Sequence, residues 1–177
     1  MLKRIFGRGR NDEAARVLYD AIVAQARRPE FYIHAEVPDT IDGRFDLLAL
    51  HVFLVLHRLR AEGEGTAGFA QVLFDLMFAD MDQNLRELGV GDLSVGRKVK
   101  VMARALYGRI AAYEPGLDDA AVLTEALGRN LYRGHPPEAG AIERVRRYVQ
   151  ATATVLAGQA AGTLMAGQVR FAEIEAP

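Results

Sequence analysis

No cysteine occurs among the 177 residues. Disulfides, thiol nucleophiles and cysteine metal sites are therefore excluded. Tryptophan is absent too, and the net charge is close to zero, at −1. That balance gives no support to DNA or any other nucleic acid as a partner. The opening stretch, MLKRIFGRGR, is basic but lacks the apolar core of a secretory signal. Two stretches are long enough to be weighed as bilayer spans, and neither qualifies. In Phe45–Glu62 the apolar run is interrupted by Asp46, His51, His57 and Arg58. Residues 138–166 are diluted by Gly, Ala, Thr and Gln.

Catalytic constellations are missing as well. His34, His51, His57 and His135 form no HExxH or other ligand pair at helical spacing. His51 and His57 point to different faces of one helix and read as satisfied polar residues. There is no nucleophile elbow and no P-loop. The GEGTAG run at Gly63–Gly68 matches GxGxxG literally, but a helix precedes it where a dinucleotide site needs a strand. It reads as a turn in which Thr66 caps the following helix. A DDxxD run of the kind used in metal-dependent prenyl chemistry is also lacking. These absences argue for a binding protein over an enzyme, with no cofactor.

What is present is helical period. Half the residues are hydrophobic, ordinary for one folded domain of this length. The spacing predicts an all-α, single-domain bundle of about six helices, with a basic tail over 1–10 and the helical domain over 11–177. The first helix, capped by Asn11 or Asp12, runs to about Arg28, where Pro29 stops it. Residues 30–44 form a short irregular or extended arm. Phe45–Glu62 is apolar almost all round and so is central. Helices follow over Thr66–Leu88, Ser94–Tyr113, Asp118–Arg133 and, longest of all, Glu138–Ala166, before a short tail.

The chain turns on Asp80–Lys100. Gly89 reads as a left-handed cap that lets Val90 close back on Leu85, and Ser94 as the next N-cap. Arg97 and Lys98 then fall in a first helical turn, where the dipole favours acids. Two readings stay open for Arg97, Lys98, Lys100 and Arg104: pairing with Asp82, Glu87 or Asp92, or a basic patch for an acidic partner or charged loop, a membrane surface with its lipid headgroups, or RNA. The stripe Phe74, Met77, Phe78, Met81 is either core or an adaptable groove. On the last helix, Ala151, Gly158 and Gly162 form a small-residue face that admits close approach of another helix. Leu2, Ile5 and Phe6, with the cations of the tail, suit weak contact with an anionic membrane.

The segment FDLMFADMDQNLRELGVGDLSVGRKVKVMARALYGR (Phe74–Arg109) resembles the ubiquinol–cytochrome c chaperone family in its DMDxxLRELGVGDLxVGxxVKxMAxAxYGR pattern. The likeness takes in the upstream YIHAEVPDTIDGRFDLLALHVFLVLHRL and the Asn130-Leu131-Tyr132 region, and covers most of the chain from about Tyr19 to Ala166. It implies an all-helical, non-enzymatic chaperone that binds cytochrome b or early intermediates of the bc complex near the membrane. In mitochondrial relatives it further implies a small helical partner protein and the ribosome's exit region. With no long targeting extension ahead of the matched region, the chain reads as a bacterial-type member, cytoplasmic and peripheral at the inner face of the membrane. The family brings no catalytic residues. Two other classes remain beside it: a homo-oligomeric helical scaffold, and an all-α enzyme or carrier for a quinone or lipid.

Overall fold

The computed structural model describes residues 2–135, 137–138 and 140–176, with side chains from Asn11 onward. Among them the chain forms α1 (Leu2–Ala26), α2 (Pro29–Ile33), α3 (Ile41–Arg60), α4 (Glu64–Glu87), α5 (Asp92–Tyr113), a 3-10 turn (Pro115–Leu117), α6 (Ala120–Asn130), α7 (Ala141–Ala157) and α8 (Ala161–Met165). There is no strand among the described residues. The six long helices are those the apolar period predicts; α2, of 5 residues, is an addition, and α8, also of 5, is the far end of the predicted last helix.

The central helix is α3. It packs against α1, α4, α5 and α7, and its buried residues run from Gly43 to Leu59 on all sides. It starts four residues earlier than its apolar run suggests, because Thr40 caps it: the Thr40 hydroxyl accepts from the Gly43 N–H at 3.1 Å. Gly43 also lets the chain turn in tightly. A Cβ there would lie 2.0 Å from the Pro38 carbonyl oxygen, and backbone cannot yield as a flexible side chain would. Gly43→Ala is expected to cost about 2 kcal/mol by overpacking; an unchanged denaturant midpoint would show that the cap relaxes freely.

Of the irregular arm read over 30–44, only 34–40 stays irregular. Pro29 does end α1, and it opens α2 in the N1 position where its missing N–H costs nothing. The first helix has no boundary at Asn11 or Asp12. With no proline before Pro29, nothing stops the hydrogen-bond ladder from continuing back to Leu2. The side chains of the basic tail, with the membrane contact expected of Leu2, Ile5 and Phe6, lie outside the described residues.

At the Asp80–Lys100 corner Gly89 takes a positive φ of 78°. The Val90 N–H donates to Leu85 O at 3.0 Å and the Gly89 N–H to Arg86 O at 2.9 Å, which is the six-to-one and five-to-two pairing of a Schellman cap. The caps placed at Thr66, Ser94 and Asp118 are each displaced. Thr66 lies inside α4 and its hydroxyl donates to Leu59 O at 2.6 Å, tying α4 to the end of α3. The N-cap of α5 is Gly91, with Asp92 in the first turn. Arg97 and Lys98 thus lie a turn further in, and the conflict with the helix dipole disappears. Asp119, not Asp118, caps α6, accepting from the N–H groups of Ala121 and Val122.

The largest departure is at the end of the chain, where one long helix over 138–166 is expected. It breaks after Ala157. Arg58 of α3 reaches across and donates to Leu156 O at 2.9 Å and Gln159 O at 2.8 Å. A cation there satisfies the last carbonyls and suits the negative end of the helix. Gln159 then staples the tail, donating to Arg170 O at 2.9 Å and accepting from its N–H at 2.8 Å. The tail lies across the core, with Phe171 edge-on to His51 at 5.6 Å and Ile174 buried.

Candidate partner-binding surface

Two apolar clefts flank α4. The first, of about 300 Å³, is floored by Val23 of α1, Phe45 and Leu48 of α3, Met81 and Leu85 of α4 and Met102 of α5. The exposed side chains of Ile41 and Leu88 stand at its mouth beside Arg27 and Arg44. The second, more open and of about 440 Å³, lies where Leu56 of α3, Ala70 and Phe74 of α4 and Tyr107 of α5 meet.

The Phe/Met stripe is divided between core and cleft. Met77 is wholly buried, whereas Met81 belongs to the first cleft and Phe74 to the second. Phe78 is half-buried, its ring tilted against that of Phe74 with centroids 4.7 Å apart, and the Phe74 ring in turn lies 5.6 Å from that of the exposed Tyr107. This makes an aromatic strip across the α4–α5 seam. Flexible methionine beside aromatic rings is a surface that can repack around different apolar partners.

The expected ion pairs across the corner are not formed. Arg86 takes both Asp82, at 2.5 Å, and Asp92. Asp80 turns inward to accept from Tyr19 of α1 at 2.7 Å. Burial and this carboxylate together push the Tyr19 hydroxyl well above the ordinary tyrosine range. Arg97, Lys98, Lys100 and Arg104 are exposed and, among the described residues, none has an acid within ion-pair distance.

The small residues are separated by the break after α7. Ala151 is exposed on α7, Gly158 is the C-cap, and Gly162 lies on α8. They do not share one continuous helical face.

Sequence reasoning missed the ionic centre of the molecule. Asp46 is wholly buried, bonded by Arg109 of α5 and by Arg133 Nε at 2.6 Å. Burial raises the Asp46 pKa, while the two guanidiniums pull it down. His51, equally buried, donates from Nδ1 to Leu47 O at 2.8 Å and accepts at Nε2 from the Tyr148 hydroxyl at 2.7 Å. Gln25 donates to that hydroxyl in turn, at 3.0 Å. His51 is thus the satisfied polar residue the sequence reading expects. The signal for all of these was present: Asp46, His51 and Arg58 interrupt an otherwise apolar helix, and a charge kept in a core implies a partner.

Among the described residues no group of three or more His, Asp or Glu is placed to hold a metal ion, and no helix is long and apolar enough to cross a membrane. The fold and its surfaces thus define an all-helical protein with apolar clefts beside α4 and exposed basic side chains on α5. Its particular family follows from comparison. The sequence profile of the ubiquinol-cytochrome C chaperone family matches residues 34–171, and the chain belongs to that family. It is 26% identical over 160 residues to ubiquinol-cytochrome c reductase complex assembly factor 1 of Mus musculus, covering 89% of this chain and 54% of that protein. The Drosophila melanogaster assembly factor 1 is 27% identical, with 79% and 56% covered. The chain therefore spans little more than half the length of these relatives. The crystal structure of the Cbp3 homolog from Brucella abortus superposes with a TM-score of 0.85 at 36% identity, covering 98% of both chains.

Proposed function

We propose that this chain is a non-enzymatic assembly chaperone of the ubiquinol–cytochrome c reductase complex, holding cytochrome b or an early intermediate at the cytoplasmic face of the membrane. The observation that carries the reading is the family match over residues 34–171, to which relatives named as assembly factors of that complex add weight. The surfaces suit the task. A client that is itself a membrane protein presents apolar helices before assembly, and these need a repackable apolar surface to shield them. The Phe74–Phe78 strip and the cleft at Met81 supply that surface, with Met77 as the rigid core behind it. Arg97, Lys98, Lys100 and Arg104 supply charge for an acidic loop or headgroup.

The test is an affinity pull-down from detergent-solubilised membranes, read by mass spectrometry. Cytochrome b or bc-complex intermediates are the expected catch. Recovery of the chain alone, self-associated, would replace the chaperone reading with a scaffold. Ala151, Gly158 and Gly162 are assigned a separate, smaller contact with a client helix, and that assignment has its own check. A Cβ at Gly162 meets nothing within 4 Å, and one at Gly158 makes only ordinary contacts at 3.7 and 3.8 Å, so Gly158→Ala/Gly162→Ala should fold normally. A drop in client recovery is expected because the two added methyl groups hold a client helix away at the α7–α8 break, although the three residues share no single helical face. Full recovery by the folded double variant would remove these residues from the interface.

A further inference from the structure

The outward face of α5 combines two features that aqueous exposure alone does not explain. From Leu93 to Tyr113 the helix contains no acidic residue, while Arg97, Lys98, Lys100 and Arg104 are all exposed. Among these cations stand bare apolar side chains: Leu93 is 100% exposed, Tyr107 60% and Val101 58%. Leu93, Arg97, Lys100, Val101, Arg104 and Tyr107 recur at helical spacings of one, three and four, so they share the side of α5 opposite its buried residues Val95, Leu106 and Tyr113. At 1.5 Å per residue the stripe is about 20 Å long.

We propose that this face of α5 docks on an anionic lipid bilayer, lying in the plane of the headgroups. Charge complementarity selects the occupant: unpaired cations meet lipid phosphates, while the leucine, valine and tyrosine side chains enter the boundary between headgroups and acyl chains. The cations need not leave water, because their apolar stems reach along the surface while the charged ends stay hydrated. A single-stranded nucleic acid would use a series of aromatic planes for stacking, and Tyr107 is the one aromatic residue of this stripe. The assignment rests on the chaperone reading for its setting beside a membrane, and it leaves the Met81 cleft, which shares no residue with the stripe, turned to the client.

The absence of tryptophan makes a direct test available. Leu93→Trp in the full chain places a single indole at the fully exposed end of the stripe, where substitution disturbs no packing. Vesicles of phosphatidylcholine with phosphatidylglycerol are expected to blue-shift its emission. Vesicles of phosphatidylcholine alone should not, and added salt should reverse the shift. Adding Arg97→Glu/Lys100→Glu/Arg104→Glu is expected to weaken partitioning about tenfold or more, since each reversed charge acts on the same surface potential; circular dichroism checks that this exposed triple variant stays folded. An indole unmoved by anionic vesicles would overturn the proposal. So would equal partitioning onto neutral lipid, or a shift sensitive to single-stranded RNA in place of lipid. No client is present in this assay, so its failure leaves the pull-down result untouched, and the reverse holds equally.

Discussion

Asp46→Ala is expected to destabilise the protein by about 3–5 kcal/mol, the cost of leaving a buried charge without its partner. The stranded group is Arg109. Its side chain is only 10% exposed, so it cannot turn out to water. What would remain to it is the Ala105 carbonyl, at 3.1 Å, and the Phe45 ring, 5.5 Å from the guanidinium carbon. Its Nε already has no hydrogen-bond partner among the described residues. Arg133 differs: its side chain is 43% exposed and can rehydrate, so Arg133→Ala is expected to cost about 1 kcal/mol, near the upper end for exposed pairs. The joint replacement Asp46→Leu/Arg109→Met removes both buried charges and should recover most of the loss, because well-packed apolar residues often equal a buried ion pair. Urea denaturation of these three variants beside the parent protein decides the matter. If Asp46→Ala cost no more than Arg133→Ala, the buried pair would not be what joins α3 to α5.

Stability should also fall on mild acidification, through His51. Burial depresses its pKa from 6.5 to about 4, against the opposing hydrogen bond to Leu47 O. The sign follows from proton counting. Between about pH 6.5 and about pH 4 the unfolded chain binds a proton at this imidazole and the folded chain does not, so lowering the pH favours unfolding. The contribution is complete above pH 6.5, and about 3 kcal/mol is lost by the time the pH has fallen through 4. His51→Gln retains a donor and an acceptor within the Leu47–Tyr148 network and cannot titrate. Its denaturant midpoint should be lower at neutral pH, yet nearly flat across the same window. Parallel pH profiles for the two proteins would assign the acid sensitivity elsewhere.

The six long helices were legible because each repeats apolar residues at a period its own neighbours satisfy. The central place of α3 was legible for the same reason, since a helix apolar all round must be covered on every side. Gly89 was legible because a left-handed cap needs a residue without a Cβ. The displaced caps at Thr66, Ser94 and Asp118 were not. Each lies within a few residues of a rival, Gly63, Gly91 or Asp119, and local residue preference does not choose between candidates so close together. In the candidate surface, the positions of the Phe/Met stripe and the basic residues could be read along the chain. Their division into Met77 in the core, Phe74 and Met81 in separate clefts, and cations left unpaired could not. That division depends on which helices lie alongside.

By itself, then, the sequence determined an all-helical chain, its family, the apolar faces of its helices and the turn at Gly89, all of them properties of neighbouring residues or of a long contiguous pattern. The tertiary structure decided where α7 stops, what neutralises Asp46 and what seals His51. Arg58 reaches Leu156 and Gln159 across 98 and 101 residues, and Arg109 and Arg133 reach Asp46 across 63 and 87. Local periodicity contains no term linking such distant positions. Only packing around α3 brings them together, and a buried charge or a helix end must then take whatever partner that packing provides.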